Sequence, residues 1–269
     1  MRFPKRFFKK VVGSALKQGD FDIEVRCLGK RHDNDPMWPE QFWARSVREL
    51  EKQWIEIEDR NQSGFDIHYT VLPRVRKVRG KKEHPLPENP IVSCVWADLD
   101  VGEGKPYKRK IDALRRIQDV KALPNILVES GTGVHPYWLV ELREVSKERL
   151  ERMLRVISEK LDGDSGASRA SRLMRVPNTI NWKGGGKGRL AKVHFGCTTR
   201  YRFKELEKVW KVSRANTEGR AASNSENPGI IRTQDYYDLF QPHIKSLMRN
   251  GEWAKGLCPF HDAVIPHFP

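Results

Sequence analysis

Two aspartates, Asp98 and Asp100, close the apolar run IVSCVWADLD. On a strand, side chains two apart share a face, so both carboxylates would stand together where the strand leaves the core. Adjacent carboxylates repel unless a cation compensates them. Hard divalent ions take oxygen ligands, and a carboxylate pair can bridge two of them. Ions held this way stabilise the attacking and leaving oxygens of phosphoryl transfer. An isolated Asp-x-Asp equally suits a solvated strand end, so other residues must decide between the two.

Two later segments bear on that choice. In ESGTGVHPYW (129–138), a Gly-rich turn would bring backbone N–H groups close to a ligand and set His135 at the start of a strand, facing a phosphate oxygen. In RASRLMRVPNTINWKGGGKGR (169–189), Arg172 and Arg175 are three apart, and Thr179, Asn181 and Lys183 alternate. A strand would aim those three to one side. Hydroxyl, amide and ammonium donors beside an arginine suit a triphosphate or a sugar, and a basic surface loop is the plain alternative.

The elements that must position these residues are legible from periodicity. A short amphipathic helix or a mobile arm fits residues 1–20, with Phe3, Phe7, Phe8, Val11, Val12 and Leu16 at helical spacing. Pro39 opens an expected helix over 39–59, with Phe42, Trp43, Val47, Leu50 and Trp54 as its apolar stripe. Strands are expected at 65–74 and 91–102, a helix at 108–120, and paired strands at 125–130 and 135–141. A second amphipathic helix, 146–161, has Ser146 as N-cap. Short strands near 172–176 and 190–195 and a helix over 203–211 complete an α+β order around a mixed or antiparallel sheet. No internal repeat is present.

The chain has 269 residues, 50 Lys and Arg against 35 Asp and Glu, and a formal net charge of +15. That excess favours a polyanionic partner, nucleic acid ahead of a membrane surface. Arg6, Lys9 and Lys10 in the basic N-terminal stretch, and Arg76, Lys81 and Lys82 in the loop over 75–90, are the candidate nucleic-acid contacts. No apolar run approaches the roughly 20 residues of a membrane span. The start, MRFPKRFFKK, is not followed by a signal-peptide apolar region. The four cysteines lack a disulfide-like spacing, which suits a reducing, cytoplasmic setting.

Taken in order, WADLD, SGTGVHPYW and RLMRVPNTINWKG resemble the primase-polymerase branch of the archaeo-eukaryotic primase superfamily, and more narrowly the primases of phage, plasmid and mobile-element replication proteins. The upstream strand HYTVLPR and the basic loop after it match that group, and the resemblance spans about residues 60–195. It implies a split RNA-recognition-like core flanked by helices. It implies template-directed nucleotide transfer, as primase or DNA polymerase, from nucleoside triphosphates on single-stranded or primed DNA, with Mg²⁺ or Mn²⁺ in a two-metal site. By the same resemblance Asp98 and Asp100 are metal ligands, and His135 contacts the incoming phosphates. Arg175, Asn181 and Lys183, with Thr179, hold the triphosphate or sugar, and Arg74 is a further phosphate contact. The family's third acidic ligand falls in register on Arg169, so Asp164, ahead of Asp162, is the expected substitute. Asn178 stands where the group commonly has Gly, and Asn tolerates a left-handed backbone.

Residues 1–211 are therefore expected to be the catalytic domain, and the polar stretch 212–232 a linker. The remainder, 233–269, begins as a helix and ends in GLCPFHDAVIPHF, which looks like the first half of a zinc ribbon. Cys258 and His261 have ligand spacing, but a structural zinc needs four ligands, so no stoichiometric zinc is expected in a chain read as truncated. Further domains, a zinc ribbon or a helicase, are the expected partners in a longer polypeptide. The rival readings are a metal-dependent nuclease and a replication-initiation DNA-binding module that has lost catalysis.

Overall fold

The computed structural model describes residues 1–29, 39–76, 84–183, 187–197 and 199–212, and the backbone of 245–250, 253–257 and 264–268. The fold is α+β, and every ladder between its named strands is antiparallel. The first sheet runs β2 (Glu40–Ala44), β1 (Phe21–Leu28), β3 (Asp66–Thr70), β9 (Leu173–Arg175), with β4 (Arg74–Val75) also on β1. The second runs β12 (Lys192–Phe195), β7 (Ile126–Glu129), β8 (Gly133–Glu144), β5 (Ile91–Trp96), with β6 (Leu99–Asp100) also on β8. A two-stranded ribbon joins β10 (Ile180–Asn181) to β11 (Arg189–Leu190).

The helices are α1 (Lys5–Val11), α2 (Val47–Gln62), α3 (Lys110–Gln118), α4 (Lys147–Lys160) and α5 (Phe203–Trp210). Ser146 caps α4 as expected, its hydroxyl accepting from Arg149 N–H. The expected helix over 39–59 divides instead. Phe42 and Trp43 lie on β2, paired with Val25 and Glu24 of β1, and the helix starts only at Val47. The local signal decides the break: Ser46 Oγ accepts from Glu49 N–H, and the Glu49 carboxylate accepts from Arg45 N–H. Trp43 stacks on His84, and the stripe that α2 buries is Val47, Leu50, Trp54 and Ile57.

Helix α1 is docked rather than a loose arm. Phe7 and Phe8 are fully buried, and Phe7 meets Tyr69 of the first sheet and Tyr137 of the second, edge to face. The two tyrosines also bond to each other, Tyr69 Oη donating to Tyr137 Oη at 3.1 Å. Burial raises both phenol pKa values well above their ordinary range, so both stay protonated.

Strands β13 (Lys245–Asn250), β14 (Trp253–Leu257) and β15 (Val264–Phe268) form an antiparallel sheet. Residues 245–250 therefore depart from the helix expected there, because their backbone pairs with β14. Residues 213–232 of the expected linker 212–232, with Lys81, Lys82, Cys258 and His261, lie outside the described residues. Among the described residues no helix is long and apolar enough to cross a membrane.

Candidate active site

A cavity of about 310 Å³ opens between the two sheets. The second sheet supplies Asp98, Asp100 and His135, and the first supplies His68 and Arg175. The strand expected to carry both aspartates is broken. β5 stops at Trp96 and β6 begins at Leu99, so Asp98 lies in the link and Asp100 ends β6. Both nonetheless line the cavity. The break is held from β8, where Leu99 pairs with Val134 and Asp100 with Gly133. A Cβ on Gly133 would come within 2.5 Å of the Leu99 carbonyl, so only glycine permits this approach.

Asp98 is nearly buried and doubly paired. One carboxylate oxygen lies 3.1 Å from His135 Nε2, and the other accepts from Arg172 at 3.3 Å. Burial alone would raise its pKa, but His135 and then Arg172 outweigh burial and hold it well below the carboxylate range. The same Arg172 nitrogen reaches Asp164 at 2.8 Å. Asp164 N–H also donates to the Asp98 carbonyl at 2.8 Å, and Trp96 Nε1 ties the following turn to β5 through the Ala167 carbonyl. The Asp164 side chain caps that turn, accepting from Gly166 N–H. Asp100 pairs with Lys105 at 2.8 Å.

Among the described residues no group of three or more His, Cys, Asp and Glu side chains is arranged as a metal cage. The donor chemistry fits a hard divalent ion all the same. Asp98 and Asp164 both bind one cationic nitrogen of Arg172, and Asp100 binds the ammonium of Lys105, so each carboxylate already pairs with positive charge. Asp164 is thus beside Asp98, with Arg172 between them.

The opposite wall is cationic and polar. Arg175 is buried, with Nη1 at 2.7 Å from Asp66, which also accepts from Trp182 N–H at 2.8 Å. Burial would raise the Asp66 pKa, but Arg175 more than reverses this and lowers it. His68 faces Arg175 across the β3–β9 ladder. Burial, then the Arg175 charge, pushes its pKa down to about 3, so it is neutral at ordinary pH. Asn181 donates to the Ser130 carbonyl at 2.6 Å and accepts from Lys183 N–H, fixing the Gly-rich turn beside it. Gly131 in that turn has φ +94°, a value that favours glycine.

No protein-family model matches the chain, and no curated protein matches it in sequence. Solved structures do match. The archaeo-eukaryotic primase domain of the cyanophage S-2L primase-polymerase is 13% identical, with a TM-score of 0.52 over 73% of this chain and 93% of that one. The primase RepB′ is 11% identical, with a TM-score of 0.50 over 77% of this chain and 60% of that one. The protein has the archaeo-eukaryotic primase-polymerase fold.

Within the primase-polymerase fold, the cavity gathers Asp98, Asp100, His135, Arg175, Asn181 and Lys183 of the residues singled out in sequence. Thr179 is excluded: it is fully buried, and its hydroxyl donates to the Val176 carbonyl. The expected alternation fails because β10 is only two residues long and Thr179 precedes it in a turn. Asn178 in that turn does take the left-handed backbone, at φ 62°. Arg74 is not among the lining residues and donates to the Ser171 carbonyl. Arg76 pairs with Asp20 and Asp22. Sequence reasoning missed His68, Asp66 and the bridging role of Arg172. The signal was the alternation of Asp66 and His68 along one strand, which puts both on one face.

Proposed function

We propose that this protein is a template-directed nucleotidyltransferase that joins nucleoside triphosphates during DNA replication, as a primase, a DNA polymerase or both. The observation that carries this reading is one cavity with facing walls of opposite character: Asp98 and Asp100 on one side, Arg175 and Lys183 with neutral His68 on the other. A nucleotide needs both, because its phosphates need cations and its reacting α-phosphorus needs compensated carboxylates close by. The fold likeness to two primases supports the same reading.

Asp98 and Asp100, with Asp164, would hold Mg²⁺ or Mn²⁺, which when bound supplies charge neutralisation at the reacting oxygens. The chain's own residues do the rest. Arg175, held rigid by Asp66, and Lys183 bind the triphosphate. His135 holds a phosphate oxygen next to Asp98. Asn181 and the Gly-rich turn fix the position of the nucleotide. The terminal 3′-hydroxyl gives up its proton to solvent as its oxygen bonds to the α-phosphorus, the bond from that phosphorus to the α,β-bridging oxygen breaks, and pyrophosphate leaves. The template lies on basic surface outside the cavity. Residues 1–211 form the catalytic unit, and 212–232 link it to the C-terminal segment 233–269.

The test uses primed and unprimed single-stranded templates, labelled ribo- and deoxyribonucleotides, and Mg²⁺ or Mn²⁺ in turn. Extension or new primers are expected, and both vanish in Asp98→Ala and Asp100→Ala. Degradation of the DNA without any triphosphate would replace this reading with a nuclease. DNA binding with no incorporation under any metal would leave a non-catalytic replication module.

A further inference from the structure

A second, larger depression lies away from the catalytic residues. It has a volume of about 640 Å³ and runs between α1 and the edge strand β12. Its rim carries Arg2, Arg6, Lys9 and Lys10, and no Asp or Glu lines it. Among the described residues none of these four has a carboxylate partner, whereas the neighbouring Lys5 is paired with Glu51. The cations crowd one another instead. Burial lowers the Lys10 pKa, and the charges of Arg6 and Arg200 lower it further. Like charges gathered without counter-charges are unfavourable in the free protein and become favourable against a polyanion.

The floor is apolar and partly open. Phe3, Val193 and Phe195 are only partly buried, and the Arg6 guanidinium lies 4.2 Å from the Phe195 ring centre. An amphipathic groove of this kind distinguishes among polyanions. A duplex shows a protein mainly phosphates and groove edges, and would leave the apolar floor unused. An anionic membrane would need an apolar helix face to insert, but Phe7, Phe8 and Val11 are already consumed by the core. A single strand offers both phosphates for the rim and unpaired base faces for the floor.

We infer that the α1–β12 groove is a binding site for single-stranded nucleic acid, separate from the catalytic cavity and indifferent to base sequence. The inference rests on the nucleic-acid side of the proposed function but not on its chemistry. It also gives the basic N-terminal residues a defined geometry: the cations are presented by a helix whose opposite face is locked into the core. A single residue, Pro136, separates His135 at the cavity from Tyr137, which touches α1. The groove therefore flanks the catalytic cleft and can retain a template strand close to it.

The test is fluorescence anisotropy of the full 269-residue chain with a labelled mixed-sequence oligodeoxynucleotide of about 16 nucleotides, in EDTA and without nucleotides. The variant Arg6→Ala/Lys9→Ala/Lys10→Ala should bind at least about tenfold more weakly, and its log–log salt slope should fall by about 2, three phosphate contacts at roughly 0.7 each. Phe195→Ala should weaken single-strand binding about fivefold or more while leaving the salt slope unchanged. Unchanged thermal midpoints establish that the variants are folded. Single-strand affinity that survives the triple substitution, equal affinity for a duplex of the same length, or stronger binding to anionic phosphatidylserine vesicles would each overturn the inference. Because metal and triphosphate are absent, Asp98→Ala should bind the oligonucleotide like the parent. If the polymerase reading fails, the groove result still stands, and the converse also holds.

Discussion

The cavity and the α1–β12 groove are both rich in positive charge, yet they treat it in opposite ways. In the cavity nearly every charge is answered: Arg175 by Asp66, Arg172 by Asp98 and Asp164, Asp100 by Lys105. In the groove Arg2, Arg6, Lys9 and Lys10 are answered by nothing described. Paired, buried charges hold fixed positions, which is what a reacting centre requires. Unpaired, solvated charges tolerate many partner geometries, which is what a sliding strand requires. Two basic regions thus differ less in charge than in how tightly the charge is held.

The comparison can be broken most severely at Arg175. Replacing it with Ala empties a buried position and leaves the partly buried Asp66 without its partner, and should cost about 2–3 kcal/mol in urea unfolding. Groove substitutions should stay within about 0.5 kcal/mol of the parent in the same measurement. Comparable losses in both regions would erase the distinction. Next come Asp98→Ala and Asp100→Ala, each expected to lower nucleotide incorporation by about 10²–10³-fold while oligonucleotide binding is unchanged. Incorporation retained in both would remove the catalytic half of the contrast.

Smaller effects sharpen it. His68 has a folded pKa of about 3, below its unfolded value, so the unfolded chain takes up the proton first as pH falls. Its contribution is fully present above pH ~6.5 and is lost toward pH 3, at a slope of at most about 1.4 kcal/mol per unit. His68→Gln should flatten that part of the stability–pH curve, and an unaltered curve would deny the burial. Lys183 is the cavity's exception, a lining cation with no acid partner among the described residues. Lys183→Ala should leave stability unchanged and raise the nucleotide KM several-fold, and His135→Ala should also raise it. An unchanged KM would remove either side chain from the phosphate site.

The sequence disclosed what is local and concealed what is paired at a distance. The α4 helix and the β7–β8 hairpin were readable because their periodicity and caps lie within a few residues. Asp98, Asp100 and His135 were readable because carboxylates after an apolar run and a histidine after a Gly-rich turn are local patterns. The start of α2 was misplaced because Phe42 and Trp43 satisfy a helical stripe as well as a strand, and only pairing with β1 decides. His68 escaped notice because its partner, Arg175, stands more than a hundred residues away on β9. Thr179 misled because alternation says nothing of how soon a strand ends. The link from Asp164 to Asp98 through Arg172 depends on a turn folding back onto β5, which no spacing reveals.

Helix α1 also ties together the two ends of the described region that precedes residue 213. Asn178 donates to the Arg2 carbonyl, and Arg200 donates to the Lys10 carbonyl, contacts that span most of the region's length. A ribosome delivers residues 5–11 first and the strands around 190–200 much later. The first helix can meet Tyr69 early, but Phe7 must wait for Tyr137, and the two backbone carbonyls must wait for Asn178 and Arg200. Loops this long close slowly, so folding of the cleft is a late event gated by its C-terminal strands. A fragment ending before β12 would keep Tyr69 and Tyr137 against Phe7 but lose the Arg200 bond to the Lys10 carbonyl, so the last turn of α1 would be less firmly anchored.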